Sequence, residues 1–165
     1  MMNKTELRKE IRNRKRQYTQ EQLQALSAPI IDRLRHHSKL VAAKTVMLYH
    51  SLPDEVFTHT FVDEMVKAGK DVLLPVVISE TEMEIRRYTG AKDMAMSSFH
   101  ILEPIGELFT DYDSIEFIAV PGMSFDAHRN RLGRGKGYYD RFLKQTEQAY
   151  KLGICFDFQK LDSIP

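Results

Sequence analysis

The sequence predicts a single compact α/β domain over residues 1–165, and three observations point to it. The chain has 165 residues, 42% of them hydrophobic, enough for a real core at the usual domain size of roughly 100 to 150 residues. A β-rich run at residues 45–50 is followed by a helix-like stretch at 58–68 ending at Gly69, then by the apolar run 72–78. Strand, helix, strand is the pattern of a parallel crossover. A further core strand at 115–120 leads through a glycine-rich segment to a helix expected over residues 137–148 and a last strand over 150–156.

Ahead of the first strand, residues 3–17 read as a charged helix whose thin apolar stripe is Leu7, Ile11 and Tyr18, at intervals of four and seven. Thr19, Gln20, Glu21 and Gln22 have the form of a capping box. They open a second helix with Leu23, Leu26, Ile30, Ile31 and Leu34 inward, which Pro29 is expected to kink or restart. Residues 82–88 alternate and are expected to pair with the preceding strand across the polar turn Ser79, Glu80, Thr81. Residues 90–114 mix Gly, Pro, Asp and Ser without a clear period and read as loop with short pieces.

Net charge is +1, from 24 basic and 23 acidic residues. That balance argues against a dedicated nucleic-acid or membrane-surface protein, because such proteins usually carry a strong basic excess. No apolar run approaches the roughly 18 residues of a membrane span, and the amino terminus lacks the hydrophobic stretch of a secretory signal. Glu6 and Glu10 also set the first helix apart from a mitochondrial presequence. The one cysteine, Cys155, lies between Ile154 and Phe156 and is expected to be a buried thiol in a reducing cytoplasm. His36, His37, His50, His59, His100 and His128 lack metal-ligand spacing and read as surface residues, so zinc is not expected. Met94, Met96 and Met123 read as core or pocket fillers. With no G-x-S-x-G and no evident base beside Cys155, covalent nucleophilic catalysis has no support.

The informative stretch runs from Pro121-Gly122-Met123-Ser124-Phe125-Asp126 through Asn130-Arg131-Leu132-Gly133-Arg134-Gly135-Lys136-Gly137-Tyr138-Tyr139-Asp140-Arg141. Three glycines alternate with two cations at 133–137, so backbone N–H groups and positive charges converge on one small volume, which suits phosphate. The spacing matches neither G-x-x-x-x-G-K-[ST] nor G-x-G-x-x-G, and about a dozen residues separate it from the preceding strand. Two readings stand on the pattern alone: a flexible solvated turn, or an anion cradle. The adjacent Tyr138, Tyr139 and Asp140 favour the second, offering a flat aromatic wall and a hard oxygen ligand of the kind Mg²⁺ takes. A loop between a core strand and a helix start is also where open α/β sheets bind ligands.

Lys4 and Arg8 share a helix face, with Arg12 continuing it. They form either a second cationic wall or a set of charges that keeps an exposed helix soluble. Residues 50–57 follow the first strand. There Glu55 is a candidate to hydrogen bond a polar ring edge, or a helix-start acid stabilised by the dipole.

These residues resemble the 5-formyltetrahydrofolate cyclo-ligases, also called 5,10-methenyltetrahydrofolate synthetases, over nearly the whole chain. The resemblance rests on Pro121-Gly122 with Phe125-Asp126, on the run from Arg131 to Arg141, on Lys4-Thr5-Glu6-Leu7-Arg8, on Glu55, and on Gly153 followed by Phe156-Asp157-Phe158-Gln159. It implies ATP- and Mg²⁺-dependent cyclisation of 5-formyltetrahydrofolate to 5,10-methenyltetrahydrofolate with release of ADP and phosphate. The implied ATP contacts are Lys4, Thr5, Glu6, Leu7 and Arg8 together with Arg131, Leu132, Gly133, Arg134, Gly135, Lys136, Gly137, Tyr138 and Tyr139. Within these, Arg134, Lys136 and Tyr138 are the implied catalytic residues. His50, Glu55, Tyr138 and Tyr139 would contact the folate, and Asp140 would hold the metal.

The implied fold is an α/β, three-layer Rossmann-like sandwich with a mostly parallel central sheet, similar to the sugar-isomerase and CoA-transferase architecture. A monomer or weak homodimer in the cytoplasm is expected, with no nucleic-acid or membrane partner. The family pattern continues past the Gln and Ile-Pro region into an acidic segment with an Asp that looks like a second metal ligand. This sequence stops at Pro165, short of that segment. Two alternatives of other classes are a different small nucleotide-dependent enzyme on the same scaffold and a non-catalytic nucleotide- or RNA-binding module.

Overall fold

The structure, a computed structural model, describes residues 2–165. Helix α1 (Lys4–Lys15) begins with a reciprocal cap in which the Asn3 side chain accepts from the Glu6 N–H at 2.8 Å and Glu6 accepts from the Asn3 N–H at 3.1 Å. Helix α2 (Gln20–Arg35) starts at the expected Thr19 and Gln22 box and runs through Pro29 without interruption. Burial of Leu23, Ile31 and Leu34 outweighs the local cost of the proline. Ser27 shares their buried stripe, so Leu26, expected inside, is 40% exposed. A short α3 (Ser38–Ala42), unforeseen in the sequence, follows.

The main sheet contains β1 (Thr45–Met47), β2 (Asp71–Val77), β3 (Met83–Tyr88), β6 (Leu108–Phe109), β7 (Phe117–Val120) and β10 (Tyr150–Gly153), in the order β10-β7-β1-β2-β3-β6. Strands β10, β7, β1 and β2 are mutually parallel, with Val46 opposite both Val72 and Phe117. Strands β3 and β6 are antiparallel additions at the other side. The expected crossover is α4 (His59–Lys67), which joins β1 to β2 and is followed, after its cap at Ala68, by Gly69, where φ is +87°. The expected β2 to β3 pairing is also present.

Alternation along the parallel strands divides the core in two. Val46, Leu48, Val72, Leu74, Phe117 and Ala119 pack under α2 and α4, against residues such as Leu23, Ile31, Phe61 and Met65. Met47, Leu73, Ile118 and Val120 face the opposite way, against Phe142 of α5 (Tyr138–Leu143). A parallel sheet covered on both faces reads as continuous apolar runs, which is why these strands were legible.

Outside this sheet lie β4 (Met94–Met96) paired with β5 (Leu102–Pro104), and β8 (Ser124–Asp126) paired with β9 (Arg131–Leu132) and β11 (Lys160–Leu161). The β8–β9 hairpin fills the dozen residues between β7 and the glycine loop. Asp126 closes it, accepting from the His128 and Asn130 N–H groups at 2.9 and 3.0 Å. Three expectations need correction here. Helix α5 stops at Leu143 rather than near 148, because the chain tightens into turns, Gln145 N–H to Phe142 O at 2.9 Å and Thr146 N–H to Leu143 O at 3.2 Å. The last strand stops at Gly153 rather than 156. Met123 is buried as expected, whereas Met96 is 59% exposed on its hairpin.

Helix α1 docks on the small sheet, where Leu7 and Ile11 meet Met123 and Leu132. Arg14 adds a hydrogen bond to the Phe158 carbonyl at 2.8 Å, and Tyr18, 37% exposed, stacks on the Phe158 ring at 5.1 Å. Ile11 is fully buried, so Ile11→Ala is expected to lower unfolding free energy by about 2–5 kcal/mol through lost contacts and a residual cavity. Urea denaturation followed by circular dichroism measures it; a loss below about 1 kcal/mol would mean α1 is only loosely docked.

Candidate active site

The connections that leave β1, β2 and β7 emerge at one edge of the sheet and enclose a cleft of about 440 Å³. His50 and Glu55 line it after β1, Val77 and Met83 around the β2–β3 turn, and Pro121 to Tyr139 contribute after β7. Ile101, Leu102 and Pro104 of the β4–β5 region add an apolar wall, built from short pieces within the stretch that has no clear sequence period.

The glycine loop is held open by backbone conformations that disfavour side chains. Gly135 has φ +117° and Gly137 has φ +72°, the latter a left-handed residue that starts α5. Arg8 reaches it from α1, its Nε donating to the Gly133 carbonyl at 2.8 Å. Thus α1 does come to the loop. Lys4 and Thr5 remain exposed on its first turn. Glu6 is spent on the cap, and Leu7 and Leu132 point into the core between α1 and the small sheet. None of those three positions lines the cleft, and the Glu6 and Leu7 N–H groups are bonded to Asn3.

Each cation of the loop already has a carboxylate. Arg134 Nη2 lies 3.0 Å from Asp54 Oδ1 and 3.7 Å from Glu55 Oε2, and Lys136 Nζ lies 3.0 Å from Glu80 Oε2. Arg131 donates from Nε to the Pro121 carbonyl at 2.7 Å, sits over the Tyr139 ring at 5.1 Å, and places Nη1 3.4 Å from Asp140 Oδ1. Tyr138 donates to the Ser79 carbonyl at 2.7 Å and Arg141 Nε to the Thr81 carbonyl at 2.9 Å, so the loop is strapped to the β2–β3 turn. Both tyrosines line the cleft. Burial holds the Tyr139 hydroxyl protonated, well above the ordinary phenol range.

The segment bearing His50 and Glu55 is closed by two buried hydroxyls. Ser51 N–H donates to Thr58 Oγ1 at 3.1 Å, Thr58 N–H to Ser51 Oγ at 3.0 Å, and Phe57 N–H to Ser27 Oγ of α2 at 2.9 Å. Within it Glu55 accepts from the Leu52 N–H at 2.8 Å, and its side chain is 13% exposed. Burial raises its pKa, while the Leu52 N–H, Arg134 and Lys15 favour the carboxylate. His50 and His59, read from sequence as surface residues, are half-buried and stacked with centroids 3.6 Å apart. Asp140, 62% exposed, stands on the first turn of α5. Among the described residues no group of three His, Cys, Asp or Glu side chains is placed to hold a metal.

Several residues were missed. Lys15 is buried with its Nζ 3.5 Å from Asp54 Oδ2. The signal for it was present, because Leu7, Ile11 and Lys15 follow a spacing of four and the true stripe ends there rather than at Tyr18. Asp54 and Glu80 carried no such signal, since only the fold brings them to Arg134 and Lys136. The motif residue Gln159, buried, donates to the Gly122 and Met123 carbonyls at 3.0 Å each, holding the bend at which the chain leaves β7.

The profile of the 5-formyltetrahydrofolate cyclo-ligase family matches residues 1–165. The chain belongs to this family. The 5-formyltetrahydrofolate cyclo-ligase of Mus musculus is 29% identical over 172 residues, covering 96% of this chain and 85% of the mouse protein. That of Escherichia coli K12 is 30% identical over 162 residues, covering 94% and 88%. The solved 5,10-methenyltetrahydrofolate synthetase of Aquifex aeolicus superposes with a TM-score of 0.85 at 34% identity, covering 99% of this chain and 83% of that one. Cyclo-ligases are enzymes, and the mixed α/β fold with its mostly parallel sheet is that of its solved relatives. No helix among the described residues is long and apolar enough to cross a membrane.

In this cyclo-ligase, burial and then the neighbouring His59 push the His50 pKa from 6.5 down to about 4. A proton that the unfolded chain binds and the folded one refuses makes stability complete above about pH 6.5 and diminishing as pH falls toward about 4. Because His50 is half-exposed, the loss is on the order of 1 kcal/mol after allowance for solvent screening. Urea melts between pH 7.5 and 4 are expected to show this slope (on the order of 1 kcal/mol) flattened in His50→Asn; an unchanged slope would remove the assignment.

Proposed function

We propose that this protein catalyses ATP-dependent cyclisation of 5-formyltetrahydrofolate to 5,10-methenyltetrahydrofolate, releasing ADP and phosphate. What carries this reading is the joining, in one cleft, of a cationic glycine loop to a buried carboxylate and an apolar wall. A triphosphate suits the first and a pterin the second. The two core faces of the sheet support reading residues 1–165 as one domain, a three-layer Rossmann-like sandwich of the sugar-isomerase and CoA-transferase kind.

An amide-like formyl oxygen is a poor leaving group. In the proposed reaction that oxygen attacks the γ-phosphorus and ADP departs, while the N5 lone pair forms a C=N bond, giving an iminium phosphate. N10 then attacks the former formyl carbon, the C–O bond breaks to release phosphate, and the N10 proton is lost. Such a sequence needs positioning and charge neutralisation more than a strong base. Arg134, oriented by Asp54, and Lys136, which exchanges Glu80 for the ligand, meet the transferring phosphoryl group, with Tyr138 beside them. The N–H groups of Gly133, Gly135 and Gly137 hold the remaining phosphates, with Arg131, Tyr139 and Arg8 around them, Lys4 and Thr5 at the outer end, and Glu6, Leu7 and Leu132 as the cap and packing that carry these groups. Glu55 accepts from the polar edge of the pterin, the His50 backbone adds a contact, and Tyr138 or Tyr139 packs on the ring at about 1 kcal/mol beyond area burial.

Asp140 fits Mg²⁺ as that ion is commonly held, by one or two carboxylates plus substrate phosphates and water; it is exposed beside the loop and only loosely paired to Arg131. When bound, the ion supplies further neutralisation of phosphate charge. The free, partly buried Cys155 accords with a reducing compartment such as the cytoplasm.

The test is an absorbance assay for methenyltetrahydrofolate from 5-formyltetrahydrofolate with and without ATP and Mg²⁺. Product is expected only with ATP, and its absence would sink the reading. Lys136→Ala is expected to lower kcat by about 10²-fold, the scale of removing one preorganised stabilising group. Its unfolding midpoint should stay in place, because an exposed ion pair contributes little. Full turnover in that variant would strip Lys136 of its role.

A further inference from the structure

We propose that Lys15 is a positioning residue for the nucleotide: it neutralises Asp54 so that Asp54 orients Arg134 without presenting an uncompensated negative charge to the phosphates. The inference rests on the ATP reading above. Its geometry is a line of four alternating charges, in which Lys15 Nζ lies 3.5 Å from Asp54 Oδ2, Asp54 Oδ1 3.0 Å from Arg134 Nη2, and that nitrogen 3.7 Å from Glu55 Oε2. Exposure rises from the Lys15 side chain, 4%, through Asp54, 39%, to Arg134, 44%, and falls again at Glu55, 13%. Lys15 thus anchors the line in the interior, and Arg134 is the charge it presents to the cleft.

Packing alone does not account for this lysine. It continues the stripe of Leu7 and Ile11 into the interior, where a leucine avoids the desolvation cost of an ammonium group. Burial does lower the Lys15 pKa, and Asp54 is the chief group opposing that shift. On the carboxylate side, burial works to raise the Asp54 pKa, yet Lys15 and Arg134 hold it below the ordinary value. Asp54 therefore stays charged, with one oxygen toward each cation. Remove Lys15, and both the charge and the hydrogen-bonding capacity of Asp54 fall on Arg134 alone. Asp54 then competes with phosphate for the guanidinium and repels the polyanion.

The experiment compares wild type, Lys15→Met, Asp54→Asn and the double variant in steady-state kinetics at varied ATP and saturating 5-formyltetrahydrofolate, with thermal melts alongside. Lys15→Met is expected to raise KM for ATP by about tenfold while kcat changes less than about threefold, the scale for an uncompensated partly buried charge near a polyanion. The double variant is expected to return to the KM of Asp54→Asn, since a charge that has been removed needs no counter-ion. A double variant that keeps the raised KM, or a Lys15→Met enzyme with wild-type KM, overturns the proposal. Should Lys15→Met fail to fold, the double variant against Asp54→Asn decides: equal KM values support it and a tenfold gap sinks it. Wild-type turnover without these effects refutes only the role of Lys15, whereas a wild type with no ATP-dependent turnover refutes the underlying reading.

Discussion

A parallel sheet buried on both faces leaves no place for polar side chains along its central strands, and the rest of the molecule follows from that constraint. Val46, Met47, Leu73, Phe117 and Ile118 are all fully buried. Polar groups are therefore gathered where strands end, and parallel strands end on the same side. The connections after β1, β2 and β7 meet there because each has to leave the same edge. Their backbone groups lie in partly dry surroundings and need partners, which the Ser51 and Thr58 hydroxyls, Asp126 and Gln159 supply. Much of the family signature is scaffolding of this kind. Phe125-Asp126 and Phe156 to Gln159 shape the bend that carries the glycine loop, rather than entering the cleft.

Electrostatics at that edge follow the same logic. Gathering Arg131, Arg134 and Lys136 on one loop is unfavourable unless their charge is compensated, and every one of them has a carboxylate within 4 Å. Lys136 and Glu80 meet in open solvent, where an ion pair has little net strength, so that partner is readily exchanged for a ligand of higher charge. The Lys15 and Asp54 pair differs because one member is buried. Breaking it would leave an unpaired ammonium inside the protein, which is costly, so this pair is far harder to separate than Lys136 and Glu80.

Apolar periodicity made the principal helices and strands readable, since burial imposes a period of two or near 3.6 wherever an element has one inward face. The same rule explains the errors. Ser27 displaced Leu26 from the stripe of α2 because its hydroxyl satisfies the Leu23 carbonyl and the Phe57 N–H, a pairing invisible to hydropathy. Strands β4, β5, β8, β9 and β11 hold two or three residues each, too few for any period to register. His50 and His59, nine positions apart, are brought together by the intervening loop, which no local pattern announces.

By itself the sequence determined the α/β class, the parallel crossover, the capped start of the second helix, and the concentration of glycines, cations and tyrosines between Arg131 and Arg141, all of which rest on interactions between residues near one another in the chain. Only the tertiary structure decided that Arg8 meets Gly133 across 125 positions, that Arg134 faces Asp54 and Glu55, and that a hairpin from residues 94–104 walls the cleft. The physical reason is that such contacts are set by which strand lies beside which. Strand order depends on how the two faces of the sheet are covered, a property of the whole chain and not of any segment.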